Sequence, residues 1–327
     1  MKKLLSILCV FILLVTFIFP VSAANDGDEK TMTSTELSIK RISGQFTEKT
    51  ENEIAKEVLR ELGMPENLIE GVNEEYLDMV YNAKKISAND QYGKMNSEGK
   101  VTPLSYEEAM KEKDKRDGNE YEFSTVSIDP ETNGEAYADS LFYKMLIVLE
   151  TRNAPAGTVG VVCGFNWIDE PFYRCWDVVA ISGTEIQFDV ETTEFSLIYD
   201  EQIEDLYLSE TTVVGIEEEY DFLTLENEGN ILYAGNFVGV KFDMPMDVYT
   251  PLMLWMRNNI GVVFTVKATI PNPQLITNFT ATGWYFHQKR GFETDVSLSG
   301  DGVSLSISPT KYYDDPHEIQ VETTYAP

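Results

Sequence analysis

The amino-acid sequence predicts a mainly β protein: an antiparallel β-sandwich, immunoglobulin-like or jelly-roll-like, preceded by a small α-helical N-terminal segment. Three observations predict it. From about Tyr121 onward apolar and polar residues alternate with period two. Gly, Asn and Pro punctuate these short runs at the spacing of an all-β domain. Helical periodicity is concentrated in a short stretch near the N-terminus.

The chain opens with Met1, Lys2 and Lys3, an uncharged apolar run from Leu4 to Pro20, and the small-residue stretch Val21, Ser22, Ala23, Ala24. That order is a secretory signal peptide, residues 1–23, cleaved after Ala23. It implies a secreted, extracellular protein, and no later run is long and apolar enough to anchor it. Residues 24–46 are polar and aperiodic, a flexible lead-in.

Residues 47–87 carry the helical signals. Thr50 and Glu53 form a capping-box pattern, Ile54, Val58, Leu59 and Leu62 recur at helical spacing, and Gly63 stands where the helix stops. Pro65 opens a short turn with Leu68, Ile69 and Val72, and Asn73 caps a second helix carrying Tyr76, Leu77, Val80 and Ala83. Its apolar stripes are too few for a large core of its own, so the expectation is a helical hairpin that docks on the rest of the protein, with recognition of another chain as the alternative. Residues 88–120 read as a polar linker with one short helix marked by Ser105 and Glu108.

Residues 121–327 form the predicted β-sandwich domain, with a tandem pair of small sandwiches joined near Glu217 as the alternative. Val159, Val161, Cys163, Phe165 and Trp167 share one strand face, and Val262, Phe264, Val266, Ala268 and Ile270 share another. Such one-face alternation predicts antiparallel pairing with a solvated outer surface. A serine-lined hairpin places Val296 and Leu298 with Val303, Leu305 and Ile307, and a second hairpin is expected to turn at Arg257, Asn258 and Asn259.

The formal charge is −30, and signal removal takes two lysines with it. Phosphate backbones are bound by clustered Lys and Arg, so nucleic acid is excluded as a partner. Anionic membranes and wall polymers are repelled for the same reason. Cys163 and Cys175 are the two cysteines left after cleavage, and in an oxidising compartment they are expected to form a disulfide.

The segments EVLRELGMPENLIEGVNEEYLDMVYNAKKI, FNWIDEPFYRCWDVVAIS and the closing GWYFHQK with its serine hairpin resemble pieces of uncharacterised secreted proteins of Gram-positive bacteria, over about a third of the chain. The resemblance implies export and a β-rich body. It transfers no activity and no functional residue.

Catalytic constellations are missing. His287 and His317 are the two imidazoles, with no G-x-S-x-G elbow and no H-E-x-x-H pair. From Asp200 to Glu228 there are 11 acids and no Lys or Arg. Glu204, Asp205, Glu217, Glu218, Glu219 and Asp221 are the candidate calcium ligands, offering oxygen donors of the kind extracellular sites use. Trp167, Tyr173, Trp176, Trp255, Trp284 and Tyr285 are the candidate platform for stacking sugar rings, set against the core role that large rings take in a sandwich. The serine hairpin is shorter than the roughly nine to eleven residues per strand that a bilayer crossing needs. The expected function is non-catalytic extracellular binding of a protein or glycan without a cofactor. The alternative is a carbohydrate-active protein, either a binding module or a hydrolase using paired carboxylates.

Overall fold

A computed structural model of the chain describes residues 49–96, 100–117, 140–169, 174–208, 210–288, 297–300, 304–308, 313–314 and 317–327, together with the backbone strand Thr35–Leu37. The signal peptide, most of the lead-in, Tyr173, Val296 and Val303 lie outside the described residues. Ser34–Pro327 forms one compact unit.

After β1 (Thr35–Leu37), the helical segment folds as its caps dictate. The Thr50 hydroxyl accepts from the Glu53 amide and the Glu53 carboxylate accepts from the Thr50 amide, opening α1 (Glu51–Glu61). Gly63, at φ +90°, ends it. α2 (Glu66–Glu70) follows Pro65, and α3 (Glu74–Tyr81) is capped by Asn73, whose Oδ1 accepts from the Tyr76 amide at 2.9 Å. The expected hairpin is thus three short helices.

The strands that follow are β2 (Ala83–Met95), β3 (Val101–Leu104), β4 (Ser140–Thr151), β5 (Thr158–Asp169), β6 (Trp176–Thr184), β7 (Gln187–Asp205) and β8 (Glu210–Asp221). Next come β9 (Ile231–Ala234), β10 (Phe237–Asp243), β11 (Val248–Tyr249), β12 (Met253–Thr269), β13 (Thr277–Phe286), β14 (Ser297–Gly300), β15 (Leu305–Ser308) and β16 (His317–Tyr325). Two more helices, α4 (Tyr106–Asp117) and α5 (Phe222–Glu228), lie between strands.

The strands make an antiparallel β-sandwich. A nine-stranded sheet runs β1-β2-β4-β5-β12-β7-β8, with β3 added to β2 and β11 to β12, and a five-stranded sheet runs β16-β13-β6-β10-β9. The core between them packs Leu146, Val161, Phe165 and Val262 against Val179, Ile181, Val240 and Ile319. On the far side of the larger sheet, Ile69, Tyr76 and Val80 pack against Tyr143, Met145, Ile147 and Val263. Leu68 fits where two glycines let it approach: a Cβ on Gly164 or Gly261 would lie 3.0 or 2.8 Å from its methyl carbons. The β14–β15 hairpin covers the far side of the smaller sheet, burying Leu305 and Ile307 against Val178, Ala180, Trp284 and Phe286. The molecule is therefore layered as helices, sheet, sheet and hairpin.

Four expectations are corrected. The outer surface of the larger sheet is not solvated in its middle strands, because the helices cover it, and β4 is buried along its whole length. Part of the polar linker is β2 and β3 of that sheet; inward-facing Lys85, Ser87 and Asn89 bond to Thr324 O, Thr323 Oγ1 and Gln320 O of β16 at 3.0, 2.8 and 2.8 Å. No join exists at Glu217, which lies inside β8, and β12 from one proposed half sits between β5 and β7 of the other. Residues 257–259 are no hairpin turn either. Asn259 takes φ +55° and shifts the β12 register against β7 between Asn258 and Gly261, so the strand bulges and continues.

Candidate functional site

On the Arg257 side of that bulge lies a cleft of about 470 Å³ lined by residues of both sheets. One wall is the inner face of the β7–β8 pair, where register sets Phe195 opposite Tyr220, Leu197 opposite Glu218 and Tyr199 opposite Ile216. The opposite wall is Trp176 of β6, Lys241 and Phe242 of β10, and the segment Met244–Val248.

The centre of the first wall is a fixed carboxylate. Tyr199 donates its hydroxyl to Glu218 Oε1 at 3.0 Å and Tyr220 donates to Glu218 Oε2 at 2.7 Å. Burial and the adjacent Glu218 push Tyr199 up to about 12 and raise Tyr220 as well, so both phenols remain donors at any physiological pH. Each carboxylate oxygen keeps a lone pair for another donor. On the mouth side, Arg257 bonds Glu201 Oε1 through Nη2 at 2.9 Å and Nε at 3.1 Å, with its guanidinium 5.9 Å from the Tyr199 ring centroid. Arg174 fixes the opposite wall by donating to Asp247 Oδ1 at 3.0 Å and to Arg257 O at 2.7 Å. The Lys241 ammonium lies 4.9 Å over the Trp176 ring. Asp243 is raised above the ordinary carboxylate range by burial and then by nearby Asp177.

Both imidazoles lie elsewhere, inside the sandwich. Asp177 is fully buried and accepts from the Tyr285 hydroxyl at 2.5 Å and the Gln288 amide at 3.0 Å, with His287 Nδ1 3.1 Å from both its oxygens. His317 sits among Phe142, Phe165 and Trp167, and neither of its ring nitrogens has a hydrogen-bond partner.

The structure separates the sequence candidates. Trp167, Trp284 and Tyr285 are buried, with the indoles donating to Tyr285 Oη at 3.1 Å and Ser182 Oγ at 2.8 Å; core packing excludes them from a platform. Trp176 lines the cleft, while Trp255, paired with Val248 and Ile203, is half-buried. The six acids do not gather. Strand alternation turns Glu218 into the cleft and Glu217 and Glu219 away from it. Asp205 Oδ1 accepts from the Tyr207 and Leu208 amides, both at 2.9 Å, and Asp221 caps α5 by accepting from the Thr224 amide at 2.8 Å. Among the described residues no three His, Cys, Asp or Glu side chains are placed to hold a metal ion.

The expected disulfide is also corrected, since Cys163 and Cys175 are free. Cys163 Sγ points inward at Gly283, which pairs with Ile181. Cys175 precedes β6, roughly 20 Å back along the strand from Ile181 at about 3.3 Å per residue, far beyond disulfide reach.

Sequence reasoning missed Tyr199, Tyr220 and Phe242. The available signal was local: Glu218 stands two residues before Tyr220 in a strand, so both share a face. Their convergence with Tyr199 needed the β7–β8 register.

No family model matches the chain, and no curated protein matches it. Among solved structures, the collagen-binding domain from a Staphylococcus aureus adhesin is similar over 59% of this chain and 100% of its own, at 10% identity and a TM-score of 0.29. The collagen-binding subdomain of the Enterococcus faecalis surface protein ACE is similar over 53% of this chain and 89% of its own, at 9% identity and TM-score 0.25. Clostridium perfringens delta-toxin covers 73% of this chain and 90% of its own, at 6% identity and TM-score 0.21. At these scores the likenesses carry no argument about function. No helix among the described residues is long and apolar enough to cross a membrane.

Proposed function

We propose that this chain is an exported binding protein that acts without catalysis and seats an extracellular partner in the cleft between Trp176, Tyr199 and Tyr220. The observation that carries this reading is the clamp on Glu218. Two phenols, Tyr199 buried and Tyr220 half-buried, hold one carboxylate still in an aromatic wall, which preorganises an acceptor for a ligand's hydroxyl or amide. The cleft volume of about 470 Å³ lies in the range of small-ligand sites.

A second reading is favoured by one observation, the half-exposed Trp176 facing the tyrosine wall across the cleft. Flat rings with a carboxylate between them suit a sugar, whose apolar C–H face stacks while its hydroxyls donate.

The test is calorimetric titration of the protein with soluble oligosaccharides and extracellular-matrix proteins, beside Trp176→Ala and Glu218→Gln. Binding at the cleft predicts affinity at least about tenfold lower in both variants, the loss of roughly 1.4 kcal/mol or more. A ligand whose affinity ignores both substitutions removes the cleft from the function. Turnover of a glycoside that disappears in Glu218→Gln would replace binding by hydrolysis.

A further inference from the structure

The cleft opens onto an arm of the larger sheet whose tip is apolar on its outside. The β7–β8 turn exposes Leu206, Tyr207 and Leu208 at 50, 84 and 58%. Beside it the β11–β12 turn exposes Tyr249 at 65% and Leu252 at 64%, and the two turns are tied by a bond from Leu206 N to Leu252 O of 3.0 Å. Val213 of the neighbouring edge strand β8 adds another exposed apolar side chain. Within the larger sheet, Glu204 and Asp205 lie across from Leu254 and Met253, so carboxylates flank these rings and aliphatic groups. Exposed apolar surface gathered at one point marks an interaction site.

We propose that this tip docks on a lipid surface headed by choline. The charge pattern selects the occupant. The stretch from Asp200 to Glu228 has no Lys or Arg, and Arg257, further down the arm, is held by Glu201. An anionic bilayer is therefore repelled, and a lipid surface that presents cationic headgroups outermost is attracted. The trimethylammonium of phosphatidylcholine is the outermost group of that lipid, and tyrosine faces and carboxylates are the chemistry that accommodates it. Leu206, Leu208 and Leu252 then enter the acyl boundary, and Tyr207 and Tyr249 stay at the interface, where an apolar ring with a polar hydroxyl is most stable. A turn side chain as exposed as Tyr207 suits insertion into a soft surface better than a fit into a rigid pocket.

The inference stands apart from the cleft reading, because the tip substitutions leave Trp176 and Glu218 untouched. The protein lacking residues 1–23 is sedimented with phosphatidylcholine vesicles and with vesicles in which part of that lipid is phosphatidylglycerol. Tyr207→Ser/Leu208→Ser and, separately, Leu252→Ser are compared with a control, Leu275→Ser/Ile276→Ser, which changes exposed apolar residues on the turn before β13. Melting temperatures confirm that each variant is folded. Docking predicts sedimentation with phosphatidylcholine, a fall of at least about tenfold in both tip variants, no change in the control, and weaker binding with phosphatidylglycerol. No sedimentation, equal losses in tip and control variants, or stronger binding to the anionic vesicles would overturn it. Self-association that disappears in the tip variants without vesicle binding would assign the tip to a second copy of the chain and overturn it equally.

Discussion

Replacing Lys144 by methionine should stabilise the fold at neutral pH. Lys144 points between the sheets from β4, is 4% exposed, and donates its ammonium to Glu318 O near the Phe142 ring. Burial brings it down from 10.5 to about 8, against the partial opposition of Glu318 and then Cys163. At about 1.4 kcal/mol per pH unit, that fall means the buried ammonium costs about 3 kcal/mol at pH 7. Losing the bond to Glu318 O returns about 1 kcal/mol of that, leaving Lys144→Met more stable by about 2 kcal/mol, in line with other replacements of a buried charge by an apolar side chain. The sign follows from proton binding. Below pH 8 both folded and unfolded chains carry the charge and the full penalty applies. Between about pH 8 and 10.5 the unfolded chain holds a proton that the fold has released, so parental stability rises with pH while that of Lys144→Met does not. Urea unfolding at pH 7 and pH 10 measures both effects. A variant less stable than its parent at pH 7, or a stability gap that is as wide at pH 10 as at pH 7, refutes the reasoning.

Three further outcomes are expected. Burial, then Lys144 and His287, holds His317 well below its ordinary value, so acid should destabilise the fold below about pH 6.5 by up to about 1.4 kcal/mol per pH unit as the unfolded chain takes a proton His317 refuses. His287 is held above its ordinary value by Asp177 despite its burial, so its contribution is present below about pH 6.5, is lost as pH rises through the folded value, and partly offsets that slope. His317→Phe should flatten the acid limb in chemical denaturation at pH 7 and pH 5, and an unchanged limb rules His317 out. A methyl on Gly283 would lie 2.7 Å from Cys163 Sγ, so Gly283→Ala should destabilise by about 1–3 kcal/mol. In a Cys163→Ala background that loss should shrink, and equal losses in both backgrounds would place the clash elsewhere. Because the acids of β8 alternate between faces, EDTA should leave the melting temperature unchanged and calcium should not raise it; a rise would reveal a ligand selective for the native state.

Local chemistry was legible in the sequence. Thr50 with Glu53 and Ser105 with Glu108 form their capping boxes, and the strands around Val161 and Val266 follow the alternation that predicts them. So does the serine hairpin, where Leu298 meets Ile307. What failed to show depends on partners far along the chain. β2 reads as polar because its inward Lys85, Ser87 and Asn89 are satisfied by β16, more than two hundred residues away. Asn258 and Asn259 suit a tight turn, yet a positive φ serves a bulge inside a strand equally well. The buried rings of Trp167, Trp284 and Tyr285 and the half-exposed Trp176 come from similar aromatic-rich runs, and only strand direction and the second sheet tell them apart. The clamp on Glu218 needed one register, Leu197 opposite Glu218, that no local pattern encodes.

The rungs that join Lys85, Ser87 and Asn89 to Thr324, Thr323 and Gln320 fasten an early strand to the last one. Synthesis proceeds from the N-terminus, so the seam stays open until residues 320–324 of β16 have been made, more than two hundred residues after β2. Loop closure over such a distance is entropically demanding and slows folding. The larger sheet therefore gains this tie to the smaller one late, and β2 waits for β16 before its inward polar side chains are satisfied.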